Sequence, residues 1–334
     1  MILLLALGLA AAVEPATRAR VIDGALSALQ REYVEPEVPA HMEVAVRARA
    51  AAHAYDALDA NALAAALTAD LQAASHDKHL RVVFDGSPAK PGRSLMATVL
   101  AERGLDADAM NHGFRKLERL DGNVGLLQLD AFFDPDEPGG RETASSAMDF
   151  LSGTDALIID LRTSMGGNPT MVQLLLSYLF APKPVHLNDL YDRVTGETEE
   201  FWSLPNLPGR RMEKQAVYVL TSARTFSAAE ELAYDLQALG RATIVGEVTR
   251  GGANPVQGDD LGAGFVIYVP HAKAVNPLTK TNWEGKGVQP EVRVPEAQAL
   301  KTAHAAALRR LANLQKDPFR RNLLQKALAA AEAK

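Results

Sequence analysis

The sequence predicts an α/β (α+β) fold, with a small helical amino-terminal domain ahead of a larger core in which strands and helices alternate. Three observations predict it. The first quarter is rich in Ala, Leu, Arg and Glu at helical spacing, short apolar runs alternate with helical stretches from Gly122 onward, and the tail returns to Ala-rich helix. With 334 residues the chain has the length of about two domains, enough for a buried core.

The elements follow in order. The apolar run Ile2 to Val13 is shorter than the roughly 20 residues that span a membrane, but it has the length of a signal-peptide core. It ends in Ala10, Ala11 and Ala12 like a cleavage region, yet no Lys or Arg precedes it. Segment 1–13 is therefore read as a signal core, with a periplasmic or secreted protein expected; the other reading is the first turns of a buried helix in a cytoplasmic one. The helical domain is assigned to 17–115. Val21, Ala25, Leu26 and Leu29 share one helix face, Pro36 and Pro39 interrupt, and Asp59 to Ala74 forms a further helix. Leu80 to Phe84 alternates like a strand, Gly86 to Gly92 is a loop, and Ser94 to Arg103 is helical.

The core is assigned to 120–300. Strands are expected at Val124–Leu129, Ala156–Leu161, Ala216–Leu220, Ala242–Val245 and Gly262–Val269. Helices are expected at Arg141–Leu151, Pro169–Leu179 and Ala228–Leu239, with a hairpin-like region from Val185 to Phe201. Segment 301–334 is one helical stretch, Lys301 to Ala333.

Composition narrows the chemistry. A net charge of −6 provides no general attraction for nucleic acid, and no run is long enough for a membrane span. With no cysteine, disulfides, thiolate metal sites and a cysteine nucleophile are all excluded. If the protein is an enzyme, a group other than a thiol attacks.

Three segments can carry such chemistry. Gly166 and Gly167 close the run Asp160-Leu161-Arg162-Thr163-Ser164-Met165 after a buried-looking strand, and paired glycines let backbone amides turn toward a developing oxyanion. Ser227 lies between the strand Val217–Leu220 and a helix, which puts it at the helix amino terminus with the Ala228 amide as oxyanion donor. Ser227 and Glu230 also have S-x-x-E spacing, which for that segment alone favours an inert capping box. His76 and His79 flank Asp77 and Lys78 and supply two imidazoles, either of which can act as base; metal binding there lacks further ligands at matching spacing.

Together these strings resemble the tail-specific, or C-terminal processing, serine peptidase family, which has a crotonase/ClpP-like core. DLRTSMGG is similar to the family's DLR-x-N-x-GG element, TFSAAEE to its nucleophile segment and IVGEVTRGG to the strand and loop that follow. SHDKHLRV, YVLTSARTFSAAEE and NWEGKGVQP resemble the branch containing interphotoreceptor retinoid-binding protein, and the likeness extends from about Val21 to Pro295. The resemblance implies a serine peptidase acting on peptide or protein substrates without metal or organic cofactor. It implies Ser227 as nucleophile and oxyanion donors at Gly166, Gly167 and Ala228. Relatives with a serine–lysine dyad carry the lysine 25 residues after the serine, but that position here is Gly252, which cannot accept a proton. The serine, histidine and glutamate arrangement of tricorn-like relatives fits instead, with His79 as base, His76 as second candidate, and Glu284 orienting the site. Ser164 replaces the usual asparagine, and Lys78 stands where the tricorn pattern has serine. Only about forty residues separate His79 from Gly122, too few for the PDZ domain that many relatives insert. The competing implication is an inactive protein that binds hydrophobic, retinoid-like ligands on the same fold.

Overall fold

Pro15 opens the first helix of the computed structural model, which describes residues 11–86, 95–101 and 104–333. In chain order the elements are α1 (Pro15–Glu32), α2 (Val38–Ala51), α3 (Ala60–Ser75), β1 (Arg81–Phe84), α4 (Leu95–Ala101), β2 (Phe114–Leu120), β3 (Val124–Leu129), α5 (Gly140–Leu151), β4 (Ala156–Asp160), α6 (Pro169–Ser177), β5 (His186–Asp192), β6 (Thr198–Trp202), β7 (Ala216–Thr221) and α7 (Ala228–Ala238). They continue with β8 (Ala242–Gly246), β9 (Val256–Gly262), β10 (Phe265–Pro270), β11 (Ala272–Val275), β12 (Val292–Arg293), α8 (Glu296–Leu314) and α9 (Pro318–Ala333). The class is mixed α/β, as expected. The apolar run 2–13 and the loop 86–92 lie largely outside the described residues, where no helix is long and apolar enough to cross a membrane.

The chain divides into two compact units. The smaller takes in the described residues up to Thr98 together with Asp192–Glu197 and Asn254–Lys273. Its core joins one face of α1 (Val21, Ile22, Ala25, Leu26, Leu29) to Leu63, Leu67 and Leu71 of α3. Each such leucine contributes roughly 1.5–3 kcal/mol by leaving water. Asp59 starts α3 by accepting the Ala62 N–H at 2.9 Å, and His76, with φ 61°, ends it in the left-handed conformation. β10 pairs antiparallel with both β1 and β9, so this unit also contains a sheet.

The larger unit holds Val99–Tyr191, Thr198–Ala253 and Ala274–Lys334. Its six-stranded sheet runs β12-β8-β7-β4-β3-β2, parallel except for the antiparallel edge pair β2–β3. All five residues of β4 are buried, as a parallel strand covered on both faces requires. Leu157 and Ile159 pack into the core formed with α5, α6 and α7, whereas Ala156 and Ile158 pack into the second core with α8. A smaller sheet runs β11-β5-β6. The neighbouring strands β4 and β7 both end at the same edge, and their next residues are the glycine turn and the serine turn. Ligands commonly bind at such carboxyl ends.

Two element boundaries differ from expectation. The strand predicted over 262–269 is the second half of a hairpin, in which Gly262 (φ 77°) and Gly264 (φ 82°) make the turn between β9 and β10. The single carboxyl-terminal helix breaks between Leu314 and Pro318, because Gln315 is extended and Pro318 begins α9.

Candidate functional site

Asp160 ends β4, and its carboxylate is held twice by Arg162, with Nε at 2.8 Å from Oδ1 and Nη2 at 2.7 Å from Oδ2. The paired hydrogen bond raises the guanidinium pKa above its ordinary value. Arg162 Nη1 also donates to the Glu296 carbonyl at 2.9 Å, so the DLR segment is a rigid start for the turn. The turn then crosses to the serine segment. Ser222 Oγ donates to the Arg162 carbonyl at 2.6 Å, Thr225 Oγ1 to the Leu161 carbonyl at 2.8 Å, and the Phe226 N–H to the Ser164 carbonyl at 3.2 Å. Its far side is tied to Phe132, whose N–H donates to Gly166 O at 2.9 Å and whose carbonyl accepts the Asn168 N–H at 2.6 Å.

This lacing sets Gly166 directly against Ser227. Gly166 has φ 88°, and a Cβ added there would lie 2.6 Å from Ser227 Cβ, 2.6 Å from Phe226 O and 2.9 Å from the Ala228 nitrogen. Glycine is required on both counts, backbone angle and space. Gly167 follows with φ 143°. Ala228 is the first residue of α7, so its amide has no acceptor within the helix and lies at the positive end of the helix dipole.

Ser227 itself has φ 56° and ψ −127°, a conformation that a residue with a Cβ occupies at a cost of about 1–3 kcal/mol. Strain of this kind at a strand-to-helix turn is how α/β-hydrolases present a nucleophilic serine. Glu230 holds the turn in place. Fully buried, its carboxylate accepts from the Ser227 N–H at 2.9 Å, Thr249 Oγ1 at 2.5 Å, the Gly251 N–H at 2.6 Å and the Gly252 N–H at 2.9 Å. Burial pushes its pKa up, and the four hydrogen bonds pull it back.

The loop after Thr249 is gripped from a second direction. Glu284 Oε2 accepts the Ala253 N–H at 2.5 Å, Trp283 Nε1 donates to the Gly252 carbonyl at 2.6 Å, and Gly285 N–H donates to Gly251 O at 3.2 Å. Position 252 thus presents only backbone, its N–H given to Glu230 and its carbonyl taken by Trp283. Arg250 lies over the Phe226 ring at 4.6 Å, and its N–H donates to the Thr225 carbonyl at 3.0 Å.

Of the residues singled out in the sequence, Ser227, Ala228, Gly166 and Gly167 come together, and Glu284 joins them through the loop that Glu230 also binds. His79 belongs to the smaller unit. It is 5% exposed, and its N–H donates to Asp77 Oδ1 at 2.9 Å. The other Asp77 oxygen accepts from Tyr33 Oη and Asn254 Nδ2, each at 3.2 Å. His76 is exposed and caps α3. Ser164 is fully buried; its carbonyl does the fastening, while its Oγ has no hydrogen-bond partner among the described residues. Sequence reasoning passed over Asp77 and reduced Glu230 to a cap; the S-x-x-E spacing was the available signal for the latter.

One position beyond Glu230, Glu231 is buried beside Asp235, one helical turn on. Burial pushes the Glu231 carboxyl up to about 7, with Asn188 drawing it back. Burial and the nearby Glu231 charge raise Asp235 well above the ordinary carboxylate range, against one hydrogen bond from Asn276 Nδ2 at 3.0 Å.

Comparison with known proteins gives the following. The model of peptidase family S41 matches residues 123–294. Among solved structures, the chain is similar to a lipoprotein from Streptococcus agalactiae at TM-score 0.61 and 14% identity, covering 90% of this chain and 100% of the other. It is similar to a photosystem II D1 C-terminal processing protease at TM-score 0.52 and 16% identity, covering 85% and 94%. Mature CPAF matches at TM-score 0.59 and 14% identity over 85% and 94%. At these identities the structural matches speak to fold.

Proposed function

The chain belongs to peptidase family S41, and from that premise we propose that it is a serine peptidase that cleaves peptide or protein substrates through an acyl-enzyme on Ser227. One observation carries the reading: a strained Ser227 at the mouth of α7, with Gly166 packed against it and the Ala228 amide beside it. In the first half-reaction Ser227 Oγ bonds to the scissile carbonyl carbon and passes its proton to the His79 imidazole. The tetrahedral oxyanion is held by the amides of Ala228 and of Gly166 or Gly167. Collapse breaks the C–N bond, and the imidazolium gives its proton to the departing amine. Water then adds to the ester and gives a proton to His79; as the C–O bond breaks, the imidazolium returns that proton to Ser227 Oγ, releasing the acid and restoring both residues.

The base assignment is supported by burial: His79 is enclosed and its backbone is tied to Asp77, whereas His76 is exposed. Glu284 is a positioning residue that acts through the Ala253 amide. The short stretch between His79 and Gly122 supports substrate selection without a PDZ edge, and the apolar run Ile2 to Val13 supports a periplasmic or secreted location over a cytoplasmic one. Digestion of a peptide library tests the proposal. Ser227→Ala and His79→Ala should each lower kcat by about a thousandfold or more, with His76→Ala close to wild type. A wild-type protein that cuts nothing and binds retinol stoichiometrically would favour the ligand-binding reading instead.

A further inference from the structure

The hairpin of β5 and β6 carries a second cluster of chemically active side chains, apart from the serine turn. Alternate residues of a strand point to opposite faces, so His186 and Asp189, three apart, should be separated. A bulge prevents this. His186 pairs with Trp202, Asn188 with Phe201 and Asp189 with Glu200, so one extra residue lies between the first two pairs and brings His186 and Asp189 to one face with Glu200 and Trp202.

Each donor on that face is oriented by a neighbour. The His186 ring stacks on the Trp202 indole, with centroids 4.2 Å apart and planes 9° from parallel, which fixes the direction of Nε2. Nε2 lies 2.6 Å from Asp189 Oδ1, and the indole Nε1 donates to Glu200 Oε2 at 2.9 Å. One nitrogen and two carboxylate oxygens, from His186, Asp189 and Glu200, lie within 4.8 Å of one another. The His186 and Asp189 side chains are only 24% and 17% exposed, while Glu200 stands at the solvent side.

We propose that His186, Asp189 and Glu200 form a binding site for a divalent transition-metal ion of the zinc class. One imidazole with two carboxylates is a donor set that zinc accepts, and bonds of about 2.0–2.2 Å place tetrahedral ligands roughly 3.3 Å apart. The His186–Asp189 separation of 2.6 Å lies below that value and the 4.8 Å limit on the whole set lies above it, so the three donors would shift to close around an ion. For Nε2 to bind the metal, any proton it directs at Asp189 must leave that atom, to Nδ1 of the same ring or to solvent. Three protein ligands leave a fourth position to water. The cluster is not readable from residue spacing, because it needs both the cross-strand register and the bulge.

Titration of the metal-free full chain with Zn2+, followed by calorimetry, tests the site. The proposal expects one equivalent bound by wild type, with affinity lowered about tenfold or more in both His186→Ala and Glu200→Gln. Co2+ serves as a second probe: wild type should develop the visible absorption of a tetrahedral complex, and His186→Ala should lack it. Absence of Zn2+ binding by wild type overturns the proposal. So does equal binding, or an equal Co2+ spectrum, in wild type and the variants, which would put the metal elsewhere. Glu200→Gln alters an exposed side chain, so the test does not depend on a variant that disturbs the fold.

Discussion

Glu230 and Glu231 are adjacent on α7, both buried, yet they meet opposite surroundings. Glu230 receives four donors, from Ser227, Thr249, Gly251 and Gly252, and is the point at which the serine turn and the following loop are joined. Glu231 faces Asp235 across one helical turn, with few donors and a like charge. The difference teaches what burial of a carboxylate is for. Supplied with amides, it organises backbone; with fewer of them, it holds its proton to higher pH than an exposed acid does.

The contrast is broken most severely at Glu230. Glu230→Ala leaves two loop amides, the Ser227 amide and a buried hydroxyl without an acceptor, at about 1–3 kcal/mol for each group that water does not reach. Stability measured by urea unfolding should fall by at least about 3 kcal/mol. Glu230→Gln keeps the shape but turns an NH2 toward donors, and should fall between the alanine variant and wild type in stability and peptide hydrolysis. If Glu230→Ala unfolded at the wild-type urea midpoint, the joining role would be lost.

Next in size is Gly166→Ala. The new methyl group would press on Ser227 Cβ and Phe226 O at a backbone angle that costs about 1–2 kcal/mol in itself. Expected are a loss of that order in stability and a fall in kcat of about a hundredfold or more, with KM less affected. Wild-type kcat in this variant would separate the glycine turn from catalysis.

Glu231 sharpens the comparison through pH. Its folded pKa is raised to about 7 from an ordinary value near 4.5, so the folded state binds the extra proton between those limits. The contribution to stability is full below about 4.5 and is lost as pH rises through about 7. Asp235, raised for the same reason, acts in the same direction. Glu231→Gln should therefore flatten the fall in unfolding free energy between pH 5 and pH 8, and should gain on wild type at the upper end. A slope unchanged by the substitution would mean that the pair ionises as readily as exposed acids.

The smallest effect is expected at Ser164. Its carbonyl fastens the two turns, and its buried Oγ has no partner among the described residues, so Ser164→Ala should change stability by less than about 1 kcal/mol and leave hydrolysis near wild type.

Much of the fold was legible in the residues. The buried runs Val124–Leu129, Ala156–Ile159 and Val217–Leu220 announce the parallel sheet, and the chain order of strand, turn and helix leads to Ser227. β2 escaped because its sequence, Phe-Arg-Lys-Leu-Glu-Arg-Leu, belongs to an edge strand with solvent on one side. The β9–β10 hairpin escaped because the acidic, Gly-bearing β9 lacks an apolar run. Within the site, Ser227, Gly166 and Gly167 are visible because their residue types are unusual at those places. Glu284 is visible only through the family resemblance and Glu230 only as half of an S-x-x-E capping box, while Asp77 has no signal; all three accept backbone amides, and which amides they meet is set by the fold. The metal cluster of β5 and β6 depends on a bulge that no residue pattern encodes.

The central claim, that Ser227 is the attacking group, is tested most directly by intact-mass analysis after treatment with a fluorophosphonate. The account predicts one adduct on the wild-type chain, mapped to Ser227, and none on a Ser227→Ala variant that unfolds at the same urea concentration. An adduct on that variant, or a wild-type chain that cuts peptides while staying unlabelled, would contradict it.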